Sequence, residues 1–236
     1  MYRKMNASVS KAYNYILDQI MSYNLAPGAV VSDSQLAKEL GISRAPVREA
    51  ILMLIMDGLI QSLPDSKTVV TPIMLEDISD IFHVRAALET EAIRIIAANG
   101  WLQREQIQEL YLIHEHFLQT NFQTSFVDHY QYDNLFHSTL IGFAKSPRIE
   151  NITTQLSLQV RRIRWLSLLD VAHQNVAVVE HKEILTAIQE KDCEKTIRWL
   201  NQHIRQSSEF FQHILSDTNM RQLAMTINSL MIAPSP

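Results

Sequence analysis

The sequence predicts a mainly α-helical protein in two parts, a short front segment of helices with a small β-hairpin and an all-helical bundle behind it. Three observations lead there. Gly and Pro punctuate the first third heavily and the remainder hardly at all, which divides the chain near Thr71-Pro72. From Leu75 onward nearly every segment repeats its apolar residues with a 3.6-residue period. The whole chain of 236 residues is 47% hydrophobic and 19% charged, with five Gly and seven Pro, which excludes collagen-like, low-complexity and largely disordered readings.

Element by element, Ala12, Tyr15, Ile16, Gln19, Ile20 and Tyr23 recur at helical spacing within Ser8 to Asn24, and Pro27-Gly28 closes that helix. Ser32, with Gln35 three residues on, reads as a capping box for a short helix Asp33 to Leu40, ended by Gly41. Ser43 then caps a second helix, Arg44 to Asp57, which tolerates Pro46 because first-turn amides lack helical partners. Leu59 to Leu63 and Thr68 to Thr71 read as the two strands of a hairpin around Pro64-Asp65-Ser66-Lys67. The bundle helices are expected at about Leu75–Asn99, Leu102–Thr120, Ser125–Ala144, Arg148–Leu169, Asn175–Glu190 and Cys193–Asp217, with Thr218 to Pro236 left open as a short helix or a loose tail. The expected domains are therefore 1–73 and 74–218, with a tail at 219–236.

Charge narrows the function classes. Net charge is −4, and the front carries seven basic and six acidic residues up to Pro72, so any case for nucleic acid must come from a motif rather than from bulk electrostatics. The longest apolar run, Ala50 to Met56, is too short to cross a bilayer. Met1 to Lys11 shows no export signal, and the expected compartment is the cytoplasm, without membrane association. A single cysteine, Cys193, makes no intrachain disulfide and is expected in the first exposed turn of a helix.

Helix, tight turn, second helix and hairpin outline a winged helix-turn-helix. The turn Gly41-Ile42-Ser43 would expose the first turn of the second helix, Arg44, Ala45, Val47 and Arg48, while Ile51, Leu52, Leu54 and Ile55 pack inward. Arg44 and Arg48, four apart, share a face where their forks can bond a guanine edge or a phosphate. Spacing alone also fits a plain helical hairpin with two solvated arginines.

The residues carry more. Leu36-Ala37-Lys38-Glu39-Leu40-Gly41, Ser43-Arg44-Ala45-Pro46-Val47-Arg48-Glu49-Ala50 and Asp57-Gly58-Leu59-Ile60 closely resemble the DNA-binding domain of GntR-family bacterial transcription regulators, over about Tyr13 to Thr71. The resemblance implies operator contacts by Arg44 and Arg48. The candidate DNA-contacting set is Ser43, Arg44, Ala45 and Arg48 with Ser34 and Lys67 flanking. Ser34 stands where the family often has arginine, and Asp65-Ser66 where it often has a wing-tip glycine, which implies wing and flanking contacts of a different kind.

In the back half, nine histidines pose the question of which share a face. Asp133 and His137 are four apart, about 5–6 Å at Cβ. His181 lies on the stripe Ala177, His181, Ile184, Ile188, and His203 on the stripe Trp199, Leu200, His203, Phe210, so three helices each offer an inward polar group. Buried imidazoles need a metal or a hydrogen-bond network, and spacing leaves both open. His129, one turn before Asp133, is a rival ligand; His83, His114, His116, His173 and His213 are expected at the surface or rim. Arg161, Arg162 and Arg164 with Trp165 are expected as a partly solvated face.

Asp133-Asn134-Leu135-Phe136-His137, Glu180-His181 and His203, together with Arg85-Ala86-Ala87-Leu88-Glu89, resemble the FCD effector domain of the FadR subfamily, a dimerising helical bundle, over about Ile78 to Leu215. Ser146-Pro147 stands where Asn-Pro is common. The resemblance implies a divalent ion on Asp133, His137, His181 and His203 and a carboxylate effector held by the ion and a neighbouring arginine, Arg85; an Arg85 that merely pairs with Glu89 is the other reading. Members that bind acyl thioesters lack this ligand set. His and Asp ligands suit Zn, Ni, Mn or Fe alike. The expectation is a cytoplasmic homodimeric repressor, not an enzyme, that binds palindromic double-stranded operator DNA and senses a small organic acid. The rival readings are a metal-dependent enzyme and a regulator whose metal is structural or is itself the signal.

Overall fold

Asn6 and Ser32 open the first two helices through their side chains. In this computed structural model, which describes residues 6–64, 66–120, 126–164 and 171–217, with side chains left out at 126–130, 164 and 171–175, the Asn6 side chain accepts the Ser8 amide to start α1 (Ala7–Met21). Ser32 Oγ accepts the Gln35 amide at 3.3 Å to start α2 (Asp33–Leu40). Only half of the expected capping box forms there, because Gln35 turns its amide to Glu39 at 2.9 Å. Gly41, at φ 66°, ends α2 in the left-handed region that a side chain would strain, and it sets the tight turn into α3 (Arg44–Met56). Ser43 occupies the N-cap of α3 without a side-chain bond, a correction to its expected role.

Val9, Ala12, Ile16 and Ile20 of α1 pack against Val47, Ala50, Ile51 and Leu54 of α3, with Leu36 and Ala37 of α2 closing the core. Two expectations fail on α3. Val47 is fully buried rather than presented, and Leu52 is 61% exposed rather than inward, because it lies one turn after Arg48 on the outward face. The strands β1 (Ile60–Ser62) and β2 (Thr68–Val70) pair antiparallel, Ile60 with Val70 and Ser62 with Thr68, and Val30 bridges to Val69. This is a winged helix-turn-helix.

The bundle comprises α4 (Leu75–Ala98), α5 (Arg104–Gln119), α6 (Phe126–Gly142), α7 (Pro147–Arg164), α8 (Val171–Gln189) and α9 (Cys193–Ser216). The chain divides into two compact units after Met74, so each is described by itself. Within the second, α9 packs along both α4 and α8, α5 bridges α6 and α8, and α7 covers α4 and α6. Ile78, Phe82 and Ile93 of α4 meet Leu200, Ile204 and Phe211 of α9 in the core; the buried aromatic on α9 is Phe211, while the expected Phe210 is half-buried. Pro147 takes the first position of α7, where no amide is missed, and Asp192 caps α9 by accepting the Lys195 amide. α8 begins at Val171, earlier than Asn175. The expected end of α7 at Leu169, Trp165 and the tail 219–236 lie outside the described residues. No helix among the described residues is long and apolar enough to cross a membrane.

Candidate metal centre and DNA-binding surface

Four buried side chains from three helices converge in the bundle. Asp133 and His137 come from α6, His181 from α8 and His203 from α9, and one ligand-type atom of each lies within 4.8 Å of all the others. His129 is on α6, with its side chain outside the described residues.

The hydrogen bonds around this cluster orient it. His137 Nδ1 lies 2.7 Å from Glu89 Oε2, and His203 Nδ1 lies 3.0 Å from Glu180 Oε2. A carboxylate only accepts, so each Nδ1 donates its proton, and in the neutral form of each ring Nε2 is left with a lone pair. Those two Nε2 atoms face each other at 3.2 Å. Two lone pairs at that separation repel unless a positive centre lies between them. Nitrogens bound at about 2.0–2.1 Å to one tetrahedral ion lie about 3.3 Å apart, so the spacing fits a shared metal. His181 Nε2 is 3.5 Å from Asp133 Oδ1, neither His181 ring nitrogen has a hydrogen-bond partner among the described residues, and its ring stacks on Phe136 at 4.2 Å and Phe117 at 5.1 Å. A fully buried imidazole without hydrogen bonds is costly, and coordination would satisfy it. Among the described buried side chains, the carboxylates Glu89, Asp133 and Glu180 outnumber the arginines Arg85 and Arg162, an excess of negative charge that a cation would offset. The donor set therefore fits a divalent metal.

Arg85 pairs with Glu89 and also borders a cavity. Its Nε donates to Glu89 Oε1 at 2.5 Å, and it also lines a cavity of ≈ 270 Å³ that His137 and Glu89 border from the metal side. Burial alone would raise the Glu89 carboxyl, but the Arg85 guanidinium and His137 outweigh it and hold it at about 2. Burial lowers His137 to about 4 against the pull of Glu89, and burial with His203 nearby takes His181 well below the ordinary range. For the metal-free protein these shifts carry a sign. Between about pH 6.5 and 4 the unfolded chain binds a His137 proton that the native state refuses, and between about 4.5 and 2 the same holds for Glu89. Stability is expected to fall steadily as pH drops below 6.5, measured by thermal melts in chelator; a flat profile down to pH 4 would contradict this.

His114 corrects its expected place: it is buried, with ring centroid 6.5 Å from that of His181 and no hydrogen-bond partner at Nδ1 among the described residues, whereas His83, His116 and His213 are exposed and the His173 side chain is outside the described residues. Position 114 sits on the inner face with Leu110 and Phe117, a spacing that could have flagged it. Arg162 is buried and Arg161 exposed, neither lines the cavity, and the Arg164 side chain is outside the described residues.

In the front unit, Ser34, Ser43, Arg44, Ala45, Arg48 and Lys67 are all exposed. Asp33, not anticipated, joins the arginines: its carboxylate accepts Arg44 Nη2 at 2.7 Å and Arg48 Nε at 2.5 Å, and these bonds, Arg48's foremost, lower its pKa. Ser34 lies beside it on α2, with Oγ 3.0 Å from Ser32 Oγ. Lys67 stands on the hairpin.

A winged helix-turn-helix with paired exposed arginines, followed by a helical bundle with a buried polar centre, defines the class of transcription regulators with a separate effector-binding domain. The family comparisons agree. The model for bacterial regulatory proteins of the gntR family matches residues 9–70, and that for the FCD domain matches residues 80–206. The chain belongs to the GntR family of bacterial transcription regulators and carries the FCD domain, the architecture of the FadR subfamily. Relatives include the transcriptional repressor RspR of Escherichia coli K12, 25% identical over 88% of this chain and 90% of its own, and the uncharacterised regulator YdhC of Bacillus subtilis, 22% identical over 87% and 91%. Among solved structures, E. coli McbR/YncC superposes with a TM-score of 0.72 at 22% identity, over 88% of this chain and 98% of that one. These families and relatives are regulators and not enzymes, which removes the metal-dependent enzyme reading.

Proposed function

We propose that the protein is a homodimeric, cytoplasmic repressor that binds a palindromic operator and changes its DNA affinity when a small carboxylate occupies a divalent metal site in the FCD domain. The domains are 1–73 for DNA and 74–218 for effector and dimerisation. One observation carries the reading: His137 and His203 turn Nε2 lone pairs to one point, each backed at Nδ1 by a buried carboxylate, as second-shell partners orient metal-bound histidines. Asp133, His137, His181 and His203 would hold Zn, Ni, Mn or Fe alike, and the bound ion would supply open positions for an acid. Arg85, at the cavity wall, would fork onto the same carboxylate and is kept in orientation by Glu89. In the front unit, Arg44 and Arg48, with Ser43, Ala45, Ser34 and Lys67 around them, would contact DNA. Two half-sites require two copies at fixed spacing.

Elemental mass spectrometry of the purified protein beside His181→Ala and His203→Ala, each with melts against a panel of carboxylates, tests the site. Near-stoichiometric metal lost in both variants, with an acid that raises the melting temperature of the wild type alone, is expected. No metal in the wild type and equal melts throughout would overturn the sensor half of the reading.

A further inference from the structure

The cavity beside the metal centre has a second wall whose chemistry says what the far end of the ligand carries. α6 and α7 are joined by four residues, 143–146, and pack as a helical hairpin. Arg85, Glu89 and His137 border the cavity on the metal side; the rest of its polar lining comes from α7 and from neighbours of His137 on α6.

The hydroxyls on that wall are committed. Ser138 donates to the Leu135 carbonyl at 3.1 Å, Thr154 to the Glu150 carbonyl at 2.7 Å and Ser157 to the Thr154 carbonyl at 2.7 Å. Thr153 donates to the Ile149 carbonyl at 2.8 Å. A hydroxyl has one proton and two lone pairs, so once the proton is used inside its own helix the oxygen offers only acceptance to a ligand. Glu150, also in the lining, is a half-buried carboxylate, and no cation among the described residues lies within ion-pair distance of it. The metal side thus suits an anion, while the α7 side presents hydroxyl acceptors and the Glu150 carboxylate, with no cation paired to it among the described residues, and Asn134 of α6 adds an amide that both donates and accepts.

We infer that the effector is an acid whose far end bears hydrogen-bond donors, hydroxyl or ammonium, and that a dicarboxylate is selected against by Glu150. This rests on the reading of the cavity as the acid pocket. A second carboxylate beside Glu150 meets a like charge and the lone pairs of the α7 hydroxyls, with the Asn134 amide the one neutral donor in the described lining, whereas a hydroxyl or ammonium group satisfies those acceptors and the charge.

The test uses the full chain loaded with zinc and four straight six-carbon acids in isothermal titration: 6-hydroxyhexanoate, 6-aminohexanoate, hexanoate and adipate. The two donor-bearing acids are expected to bind about tenfold or more tightly than adipate, with hexanoate between, and Glu150→Gln is expected to bring adipate to within about twofold of hexanoate. Adipate binding as well as the donor-bearing acids, or a ranking that Glu150→Gln leaves unchanged, overturns the inference while leaving the pocket standing. If none of the four binds, the acid-pocket reading fails and takes the inference with it.

Discussion

Removing the divalent ion is expected to lower the unfolding temperature of the helical unit by about 10 °C. An ion present at about a thousandfold above its dissociation constant stabilises the native state by about 4 kcal/mol, and each kcal/mol moves the midpoint by about 2–4 °C for a unit of this size. Two features make this native state dependent on the ion. The facing Nε2 lone pairs of neutral His137 and His203 repel without a cation, and the buried carboxylates Glu89, Asp133 and Glu180 outnumber the buried arginines Arg85 and Arg162 among the described residues. His203→Ala should therefore melt low and show no further drop in chelator. It also removes one of the two hydrogen-bond partners of the buried Glu180 among the described residues, leaving Gln202 alone, at about 1–3 kcal/mol for the lost partner. Differential scanning calorimetry of both proteins, with and without chelator, checks it. A wild type indifferent to chelator would mean that hydrogen bonds alone hold the cluster.

Arg44→Ala is expected to cost about 1–3 kcal/mol of specific DNA affinity, and Arg48→Ala a similar amount. Both are more than half exposed yet held by one carboxylate, so they reach DNA as an oriented pair. Loss of a base-reading fork relaxes specificity, while loss of a phosphate contact weakens all sequences alike and lowers the salt slope by about one. Asp33→Asn frees the pair and removes a negative charge facing the phosphates, so binding to random DNA should rise while the ratio of operator to random binding falls. Fluorescence anisotropy on an operator enriched from a random pool separates these outcomes. Unchanged operator affinity in Arg44→Ala would remove α3 from the recognition role.

What could be read from sequence follows the range of the interaction. Helices and their breaks depend on neighbours within a few residues, so α2, its Gly41 terminus and the break at Ser146-Pro147 before α7 were legible, the helix itself starting one residue before the expected Arg148. Asp133 and His137, one turn apart, were local, and His181 and His203 could be placed inward from their stripes. Their partners were not legible. Glu89 meets His137 48 positions away, and Glu180 meets His203 23 away on another helix, contacts that only packing creates. Asp33 likewise reaches Arg48 across a turn, 15 positions on. Leu52 is apolar by type but lies on the arginine face of α3, so its residue type alone points the wrong way. His114 misled in the opposite way, a polar type on an apolar stripe.

The most direct test of the account is operator affinity of the full-length, metal-loaded protein titrated with a donor-bearing acid, beside His181→Ala. The account predicts that the acid shifts wild-type affinity by about 5–150-fold, the range of an ordinary coupling free energy, and that the shift vanishes in the variant while its acid-free operator binding persists. An equal shift in His181→Ala, or none in a wild type that binds both metal and acid, would contradict it.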